Sequence, residues 1–371
     1  MKKNYFMLAA AALMFAACAE TDFVNPVPVN EGEAIGFETF ANLPTKATEN
    51  NDTTYTENDL HNHHTTFNVW ASKQLADNSY VVVYADATPG TVTYAASTWT
   101  ASPLKYWDKA ASKYYFYAAA PAGLDWDYSE VTDGSDGYLT LNDFVLTGAN
   151  LASGTNTATG TSWSGKADKD LLIAAPCLVN KGSYNKPDPD NVNLDFIHIL
   201  SRLNIAVKTT TTGVVLTKLD VVGLVNAGDF NENASLGTDV LANGTTKRWN
   251  ADGAEYTLSG AGLAALTKDA AAVYTHEYLI IPQLAVRQDN CKGLGAAPAN
   301  DAYVQIEYTL NGEAYKVFYG LAEVFGKNIG ESLAFNEGWQ NTLTISIEPD
   351  AISFTGDVAV WGEGSGSLPI E

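Results

Sequence analysis

Two polar stretches contain residue types that bind metal ions. Residues 61–64 read His-x-His-His and follow Asp59, and imidazole and carboxylate groups are zinc ligands. Residues 188–195 contain five oxygen-bearing side chains of the kind that calcium-binding loops use, namely Asp188, Asp190, Asn191, Asn193 and Asp195. The first stretch has no second group of ligands beside it, and the second contains proline and lacks the glycine and final glutamate of an EF-hand loop. Solvated loops explain both stretches better, so the sequence predicts no metal ion and no cofactor.

Residue patterns typical of catalysis are also missing from the sequence. His198 lies between apolar neighbours in Phe196–Leu200, a setting typical of a core histidine rather than of a catalytic base. The sequence contains no Gly-x-Ser-x-Gly, no His-Glu-x-x-His and no phosphate-binding glycine loop. Because 43 residues are acidic, two carboxylates close together in the sequence do not indicate a catalytic pair. We predict that the protein is not an enzyme.

The N-terminus has the pattern of an export signal that ends at a lipid-attachment site. Lys2 and Lys3 precede an apolar run from Tyr5 to Ala17, which is shorter than the ~20 residues that span a bilayer. Small residues directly before Cys18 resemble a bacterial lipobox, in which the cysteine thiol is acylated, for example with palmitate. We predict a lipoprotein signal peptide at residues 1–17 and lipidation at Cys18. The alternative is an ordinary secretory cleavage site beside an incidental cysteine.

The composition is that of a β-rich protein of an extracytoplasmic compartment. Only 17% of the residues are charged, the formal net charge is −22, and 30 glycines and 19 tyrosines occur. A negative charge of this size repels nucleic-acid phosphates, so nucleic-acid binding is excluded. Cys177 and Cys291 could pair in an oxidising compartment or be two separate buried thiols, and their spacing does not decide between these alternatives.

Five aromatic residues of the first half allow two interpretations. Exposed Trp and Tyr rings stack on sugars, whereas buried ones fill the cores of β-sandwiches. The second use is commoner, and it is favoured for Trp99, Trp107, Trp126, Tyr114 and Tyr115.

Alternation of apolar and polar residues, the period of a half-buried strand, recurs along the chain. The clearest case is a hairpin in which Val304–Leu310 and Tyr315–Tyr319 flank Asn311-Gly312, a pair that suits a type I′ turn. Helical patterns are few, and we expect one helix at Leu263–Ala272. Further strands are expected at Ile35–Phe37, Phe67–Trp70, Tyr80–Ala85, Lys113–Ala119, Tyr138–Leu141, Asp170–Ala174, Val192–Phe196, Leu203–Val207, Leu343–Ile347 and Ile352–Val360.

The length of 371 residues fits two domains. Many short strands separated by turn residues predict an all-β protein built from β-sandwiches. A Thr-rich tract at 208–213 is the expected boundary. After the signal peptide, we therefore expect an N-terminal segment at 18–46, an N-terminal sandwich at 47–208 and a C-terminal sandwich at 209–371.

Several segments along the chain form a recognisable series. The central one runs from Asp170–Ala174 to Val192–Val207. The others are Ala34–Phe37 before Thr45–Ala47, Tyr278–Gln283, Gly338–Ile345 and Val358–Trp361. With the lipobox, this series covers essentially the whole chain and resembles, in content and order, the fimbrillin family, the Bacteroidetes-type (type V) pilus subunits that include the Mfa-like major fimbrial subunits. The resemblance implies two transthyretin-like β-sandwich domains in tandem.

The resemblance also implies a route to assembly. In this family a lipidated precursor reaches the cell surface, where a trypsin-like protease cuts it after a basic residue. The N-terminal strand then dissociates and exposes a hydrophobic groove, which an extended segment of another subunit fills. Lys46 is the only Lys or Arg between Cys18 and Lys73, so cleavage is expected between Lys46 and Ala47. The family more usually has Arg at this point, so the identity of the protease stays open.

Two apolar rows are the expected partners in this strand exchange. Ile35 and Phe37 belong to the strand that cleavage would remove. The expected donor strand near the C-terminus carries Ile352, Phe354, Val358 and Val360. The alternative is an ordinary last strand packed in its own domain, because periodicity does not say which chain a strand joins.

We therefore expect a fimbrial subunit that supports cell adhesion and is located at the cell surface, in the fimbrium. Its precursor would be lipid-anchored in the outer membrane, and its partners would be other fimbrial subunits and a trypsin-like surface protease. Two other classes of protein stay open. One is a pilus anchor or tip that does not polymerise, and the other is a glycan-binding surface lipoprotein that keeps residues 18–46 and stays monomeric.

Overall fold

The computed structural model describes residues 33–41, 60, 64–146, 170–186, 189–233, 248–253, 255–260 and 263–360. In these residues strands predominate, and the helices α1 (Lys181–Tyr184) and α2 (Leu321–Val324) are single turns, so the all-β prediction is confirmed. The strands of the first half are β1 (Phe37–Ala41), β2 (Thr66–Gln74), β3 (Tyr80–Tyr84), β4 (Gly90–Ala95), β5 (Thr98–Ser102), β6 (Lys113–Ala120), β7 (Trp126–Ser129), β8 (Tyr138–Val145), β9 (Leu172–Asn180) and β10 (Val192–His198). Those of the second half are β11 (Ser201–Thr209), β12 (Val214–Val225), β13 (Ala227–Asn231), β14 (Trp249–Ala251), β15 (Glu255–Ser259), β16 (Val273–Ile280), β17 (Gln283–Val286), β18 (Tyr303–Leu310), β19 (Glu313–Gly320), β20 (Ser332–Phe335), β21 (Trp339–Ile347) and β22 (Ile352–Val360).

The first half is built on a sheet whose pairings close on themselves. The order is β2-β4-β5-β1-β10-β9-β6, and β6 pairs with β2 again. β3 pairs with the second part of β2, beyond the residues that pair with β4. We call this sheet the closed sheet. Alternate side chains of its strands point inward and form an apolar core that includes Phe37, Phe67, Tyr114, Phe116 and Phe196. Trp107, between β5 and β6, and Tyr184 of α1 complete this core.

A second sheet covers part of the outer face of the closed sheet. Its order is β14-β13-β8-β7, so it takes two strands from each side of the expected domain boundary. We call it the bridging sheet. Trp70 and Tyr117, which alternate with inward residues of the closed sheet, pack in one core with Trp126, Phe230 and Trp249 of the bridging sheet. Side chains from both halves of the chain therefore share this core.

The second half contains two four-stranded sheets packed face to face, which we call the sandwich. Their orders are β16-β11-β21-β22 and β15-β12-β18-β19. Alternate residues such as Leu203, Val221, Ile306 and Leu343 point from both sheets into one core. β17 and β20 form a separate two-stranded antiparallel sheet.

Each segment expected to be a strand contributes residues to a strand of the structure. The hairpin is confirmed in detail, because Asn311 and Gly312 have φ angles of 53° and 89°, the positive values that a type I′ turn requires. β18 and β19 pair without a register shift on either side of this turn.

The helix expected at 263–272 was a wrong prediction. The segment is extended, because the amide of Leu216 donates to the carbonyl of Ala264 (3.0 Å) and the amide of Leu266 donates to that of Val214 (2.9 Å). Leu266 also packs against the sandwich core. A short alanine-rich stretch is only marginally stable as a helix, so pairing with β12 and burial of leucine decide its conformation.

Candidate functional site

The strand that the sequence marks for removal, β1, is a member of the closed sheet. It runs parallel to β10 through the register pairs from Phe37↔Val192 to Ala41↔Phe196. On its other side it meets β5 at the single pair Phe37↔Trp99. Loss of β1 would therefore open the closed sheet between β5 and β10.

The residues just before β1 extend its contacts along the segment that follows β5. The amide of Ile35 donates to the carbonyl of Lys105 (2.9 Å), and the amide of Trp107 donates to the carbonyl of Glu33 (3.0 Å). Ala34 forms an isolated bridge with Tyr106. Backbone pairing thus holds the described N-terminal segment from residue 33 onward.

The inward side chains of this segment are buried. Ile35 is 2% exposed and Phe37 is 4% exposed, and Thr39 continues the same buried row. Glu38, between them, is exposed. Burial of an aliphatic or aromatic side chain stabilises a fold by about 1.5–3 kcal/mol, so the two apolar residues contribute substantially to the closed sheet.

An aromatic groove receives Phe37. The Phe37 ring lies edge-on to Phe67 (6.2 Å between centroids) and to Phe116 (6.0 Å). Phe67 in turn contacts Phe196 (5.3 Å) and Trp99 (5.1 Å). Without β1, these rings and the backbone groups of β10 would face solvent, and such an opening is a template for another strand.

Gly36 allows β1 to approach the start of β10 closely. A Cβ atom at this position would lie 2.1 Å from Oδ1 of Asn191. The amide of Val192 donates to the carbonyl of Gly36 (2.9 Å), and Nδ2 of Asn191 donates to Glu38 (3.1 Å). Sequence reasoning missed this role of Asn191, although its position directly before an alternating strand was visible.

The residues expected to be processed lie outside the described part of the chain. These are the lipidation site Cys18 and the cleavage site Lys46-Ala47. β1 ends at Ala41, five positions before Lys46. The expected cut would therefore separate β1 covalently from the rest of the closed sheet.

The expected donor strand, β22, lies at the edge of the sandwich. It pairs with β21 through an uninterrupted antiparallel ladder, from Ile352↔Ile347 to Val360↔Trp339. Ile352 and Phe354 pack against the sandwich core but are only partly buried. Val358 is 39% exposed, and the side chain of Val360 lies outside the described residues.

His198 is a core histidine, as the sequence predicted. Both it and Asp170 are buried, and Nδ1 of His198 lies 2.5 Å from a carboxylate oxygen of Asp170. In the His-x-His-His stretch, residues 61–63 lie outside the described part, and His64 is buried. In the acidic run, Asp190 pairs with Lys186 (2.5 Å).

Most of the aromatic residues that could have stacked on sugars belong to cores. Trp107, Trp126 and Tyr114 are buried, whereas Trp99 and Tyr115 are partly buried and pack against the same cores. The packing interpretation is therefore confirmed for the three buried residues.

The two cysteines are separate thiols in the structure. Cys291 is buried and Cys177 is partly buried. Burial raises the pKa of Cys177 to about 11 and that of Cys291 to about 12. Both thiols are therefore protonated at neutral pH and react slowly with oxidants.

The described residues lack two features. They contain no group of three or more His, Cys, Asp or Glu side chains arranged to hold a metal ion. No helix among them combines the length and the apolar character that crossing a membrane requires.

Comparison with known proteins places the chain in a family. A family model described as fimbrillin-like matches residues 45–361. Similar solved structures include a fimbrial protein from Bacteroides vulgatus (18% identity, 88% of this chain and 99% of that chain, TM-score 0.44) and the fimbrial anchor protein Mfa2 from Porphyromonas gingivalis (9% identity, 91% and 99%, TM-score 0.35). A candidate cell adhesion protein from Bacteroides uniformis is 15% identical over 88% of this chain and 98% of that one, with a TM-score of 0.45. No curated protein matches the chain.

The match to the family model spans most of the chain, including β2 to β22. Members of this family are fimbrial and adhesion proteins, which are structural proteins rather than enzymes. The chain belongs to the fimbrillin-like family.

Proposed function

We propose that this protein is a structural subunit of a surface fimbria that supports adhesion. It is exported as a lipoprotein precursor, cleaved after Lys46 and polymerised by strand exchange with other fimbrial subunits. The position of β1 is the observation that carries this proposal. β1 fills an aromatic groove, is held by one continuous ladder, and precedes the only Lys or Arg between Cys18 and Lys73.

The first stage is anchoring of the precursor in the outer membrane. Acylation of Cys18 tethers the chain without a membrane-spanning helix, as lipid anchors do. The lipobox at Cys18 and membership of the family support this stage.

The second stage is cleavage by a trypsin-like surface protease between Lys46 and Ala47. Such a protease needs a basic residue, and Lys46 offers the one such site in this N-terminal span. The cut frees β1 from its covalent connection to β2. Its ladder with β10, its contact with β5, the backbone pairing of residues 33–35 and its buried side chains then retain it.

The third stage is replacement of β1 by a strand of another subunit. Departure of β1 leaves β10 unpaired on the side that β1 occupied and leaves the Phe67, Phe116 and Phe196 rings uncovered. An incoming strand satisfies the backbone groups and fills the groove with alternate side chains. Each subunit then donates to the next in a contact that does not close, and a filament results.

The donor is the C-terminal strand, with the row Ile352, Phe354, Val358 and Val360. Edge position and partial burial support this assignment, because release of β22 breaks one ladder and leaves the inner strands of the sandwich paired.

Two transthyretin-like β-sandwich domains in tandem are the organisation that we infer from the family resemblance. Two separate apolar cores, one in the closed sheet and one in the sandwich, support it.

Replacement of the cleavage residue tests the proposal. We expect filaments sheared from wild-type cells to contain subunits that begin at Ala47 and to give SDS-resistant ladders. Lys46→Ala should abolish the Ala47 N-terminus and the ladders. Lys109→Ala, which changes an exposed lysine between β5 and β6, should leave both intact. N-terminal sequencing, intact mass and unboiled SDS gels measure the outcome.

Recovery of only acylated chains that begin at Cys18 from wild-type cells would contradict the proposal. A monomeric lipidated product would favour the alternative of a pilus anchor or a glycan-binding surface lipoprotein, and an unacylated monomer that begins at Ala47 would favour a tip.

A further inference from the structure

The bridging sheet leaves part of the outer face of the closed sheet uncovered. Ser72 of β2 marks the border of the covered part, because it is buried and its hydroxyl lies 3.3 Å from that of Tyr128 in β7. Beyond this border, β3, β2, β6 and β9 continue side by side. The residues that we call the tyrosine patch lie on this uncovered part and are Gln74, Tyr80, Lys113, Tyr115 and Leu178.

The tyrosine patch presents apolar surface to solvent. The register of β6 and β9 places Tyr115 directly beside Leu178, which is 50% exposed. Tyr80, on the other side of β2, is partly exposed, as is Tyr115. The centroids of the two tyrosine rings are 6.1 Å apart, and their planes differ by 48°. Exposed apolar surface with polar groups around it is typical of a binding site.

The Tyr308–Tyr315 pair of the sandwich is arranged differently. Its rings are nearly parallel, with 5.1 Å between centroids and 11° between planes, so each ring covers a face of the other. In the tyrosine patch the planes of Tyr80 and Tyr115 diverge, so a ring-shaped ligand can contact both.

Hydrogen-bond donors stand beside both rings of the tyrosine patch. Nε2 of Gln74 donates to the Tyr80 hydroxyl (3.1 Å). The Lys113 ammonium lies 5.2 Å from the centre of the Tyr115 ring. An ammonium over an exposed ring is held only weakly, so Lys113 can turn towards a polar ligand at little cost.

The turn between β7 and β8 adds carboxylates at the edge of the patch. Asp133 and Asp136 are exposed in this turn. The Tyr115 hydroxyl raises the pKa of Lys113, and the charge of Asp136 raises it further. Desolvation raises the pKa of Tyr80, and the charge of Asp133 adds a smaller increase. Both carboxylates are therefore close enough to act on a ligand bound at the patch.

The charges select the class of ligand. The chain has a formal net charge of −22, and the single lysine of the patch faces two carboxylates of the β7–β8 turn. Such a field repels anions. A neutral pyranose ring has C–H groups that pack on aromatic rings and hydroxyls that both donate and accept hydrogen bonds. It therefore matches the rings, the donors and the acceptors of this surface together.

We propose that the tyrosine patch binds a neutral pyranose unit of a glycan. The C–H face of the sugar packs against Tyr80 and Tyr115. Its hydroxyls form hydrogen bonds with the Gln74 amide, the Lys113 ammonium and the carboxylates of the β7–β8 turn. The patch is on the outer face of the closed sheet, whereas the strand-exchange groove is inside it. The site is therefore complete in a single chain, and the inference goes beyond the proposed function.

Saturation-transfer NMR on the uncleaved protein tests the inference. The full-length chain with Lys46→Ala is used, because it is a monomer whether or not the cleaved chain polymerises. The neutral probes are lactose, cellobiose and mannobiose, which offer galactose, glucose and mannose rings, and sialyllactose is the anionic probe. We expect saturation to reach the ring C–H protons of at least one neutral probe, and we expect that probe to bind more tightly than sialyllactose.

Substitutions locate the binding site. Tyr80→Leu and Tyr115→Leu keep apolar volume against the core shared with the bridging sheet and remove the flat aromatic face. Each should weaken binding about tenfold. Tyr315→Leu is the matched control, because it removes a partly exposed ring outside the patch, and it should leave the dissociation constant unchanged. Gln74→Ala removes a polar group and no aromatic surface, so it should weaken binding about threefold even where a tyrosine variant fails to fold. Thermal unfolding of every variant reports folding.

Several results would overturn the inference. One is the absence of saturation transfer to all three neutral disaccharides, and another is equal binding by the Tyr80→Leu, Tyr115→Leu and Tyr315→Leu variants. Tighter binding of sialyllactose than of every neutral probe would exclude the neutral class. Loss of SDS-resistant ladders in cleavable Tyr115→Leu chains, with no saccharide binding by the parent chain, would assign the patch to a contact between subunits.

The inference and the proposed function fail separately. Ladders from wild-type cells without saccharide binding would leave the proposed function standing and remove the inference. Saccharide binding by a protein whose wild-type chain forms no ladders would support the inference and remove polymerisation.

Discussion

At the scale of single residues, Phe37 is the side chain that most firmly connects the removable strand to the closed sheet. It is buried edge-on against two phenylalanines of β2 and β6. Glu38, its neighbour, is exposed and makes one polar contact, with Asn191. Truncation of Phe37 removes buried apolar area and keeps the backbone pairing of the strand, whereas truncation of Glu38 keeps both.

Truncation of Phe37 should destabilise the precursor and not the processed chain. We expect Phe37→Ala in the uncleaved protein to lower the free energy of unfolding by about 3–5 kcal/mol, because a large buried side chain leaves a cavity. Glu38→Ala, the control, should change it by less than about 1 kcal/mol. Denaturant unfolding of both variants with and without prior cleavage measures the effect. Equal losses for both variants would contradict the role of the groove.

At the scale of elements, the informative contrast is between an enclosed strand and an edge strand. β1 is enclosed between β5 and β10, whereas β22 has a neighbour on one side only. Within β22, residues of the same face differ, since Gly356 is buried and Val358 is exposed in the chain's own sandwich. Val358 therefore contributes little to the sandwich core, and a change there acts mainly on contacts with other chains.

Val358→Asp should prevent polymerisation and leave the subunit folded. A donor strand that follows β1's register, aligned on the Ile-x-Phe sequence that begins β22 and leads into β1, brings this position opposite Phe196, where an ionised carboxylate would be desolvated. We expect the loss of SDS-resistant ladders with a change of less than about 1 kcal/mol in subunit stability. Thr355→Asp is the matched control, because its position in the groove corresponds to that of the exposed Glu38. Unchanged ladders for Val358→Asp would mean that this part of β22 is not donated.

At the scale of the whole molecule, buried and partly buried charged side chains connect the bridging sheet to the sandwich. Nε of Arg248, next to β14, donates to Glu337, just before β21 (2.8 Å). Glu232, after β13, accepts a hydrogen bond from the amide of Leu139 in β8 (2.9 Å). Burial raises the pKa of Glu232 to about 7, and it also raises the pKa of Glu337 despite the arginine. Arg248 donates to Glu337, and its charge also acts on the pKa of Glu232, but burial outweighs the charge at both carboxylates.

Stability should fall as the pH rises through the range in which Glu232 ionises. Its pKa of about 7 in the folded protein exceeds the ordinary value of 4.5, so the folded state holds the proton more tightly than the unfolded state does. The stability that protonated Glu232 contributes is fully present below pH 4.5 and is lost as the pH rises through about 7. We expect Glu232→Gln, which still accepts the hydrogen bond from Leu139, to remove about 2–3 kcal/mol of this pH dependence between pH 5 and 8. Parallel stability curves for wild type and variant would contradict it.

The sequence by itself determined the class of fold and the family. Period-two alternation indicated the strands, and Asn311-Gly312 indicated the hairpin between β18 and β19. The positions of Cys18 and Lys46 defined the expected processing. All these signals are local, because they depend on residue type and spacing. The prediction was wrong at residues 263–272, where alanine content favours a helix but the start of β12, which β15 leaves unpaired, accepts an extended segment.

Only the tertiary structure decided how distant segments meet. The parallel pairing of β1 with β10, the close approach of Gly36 to Asn191 and the sharing of the bridging sheet by both halves join residues far apart in the chain. Alternation says which face of a strand is apolar, but it does not say which strand lies beside it. Which strands pair depends on how the apolar faces of all strands are buried together, so only the complete fold defines the groove.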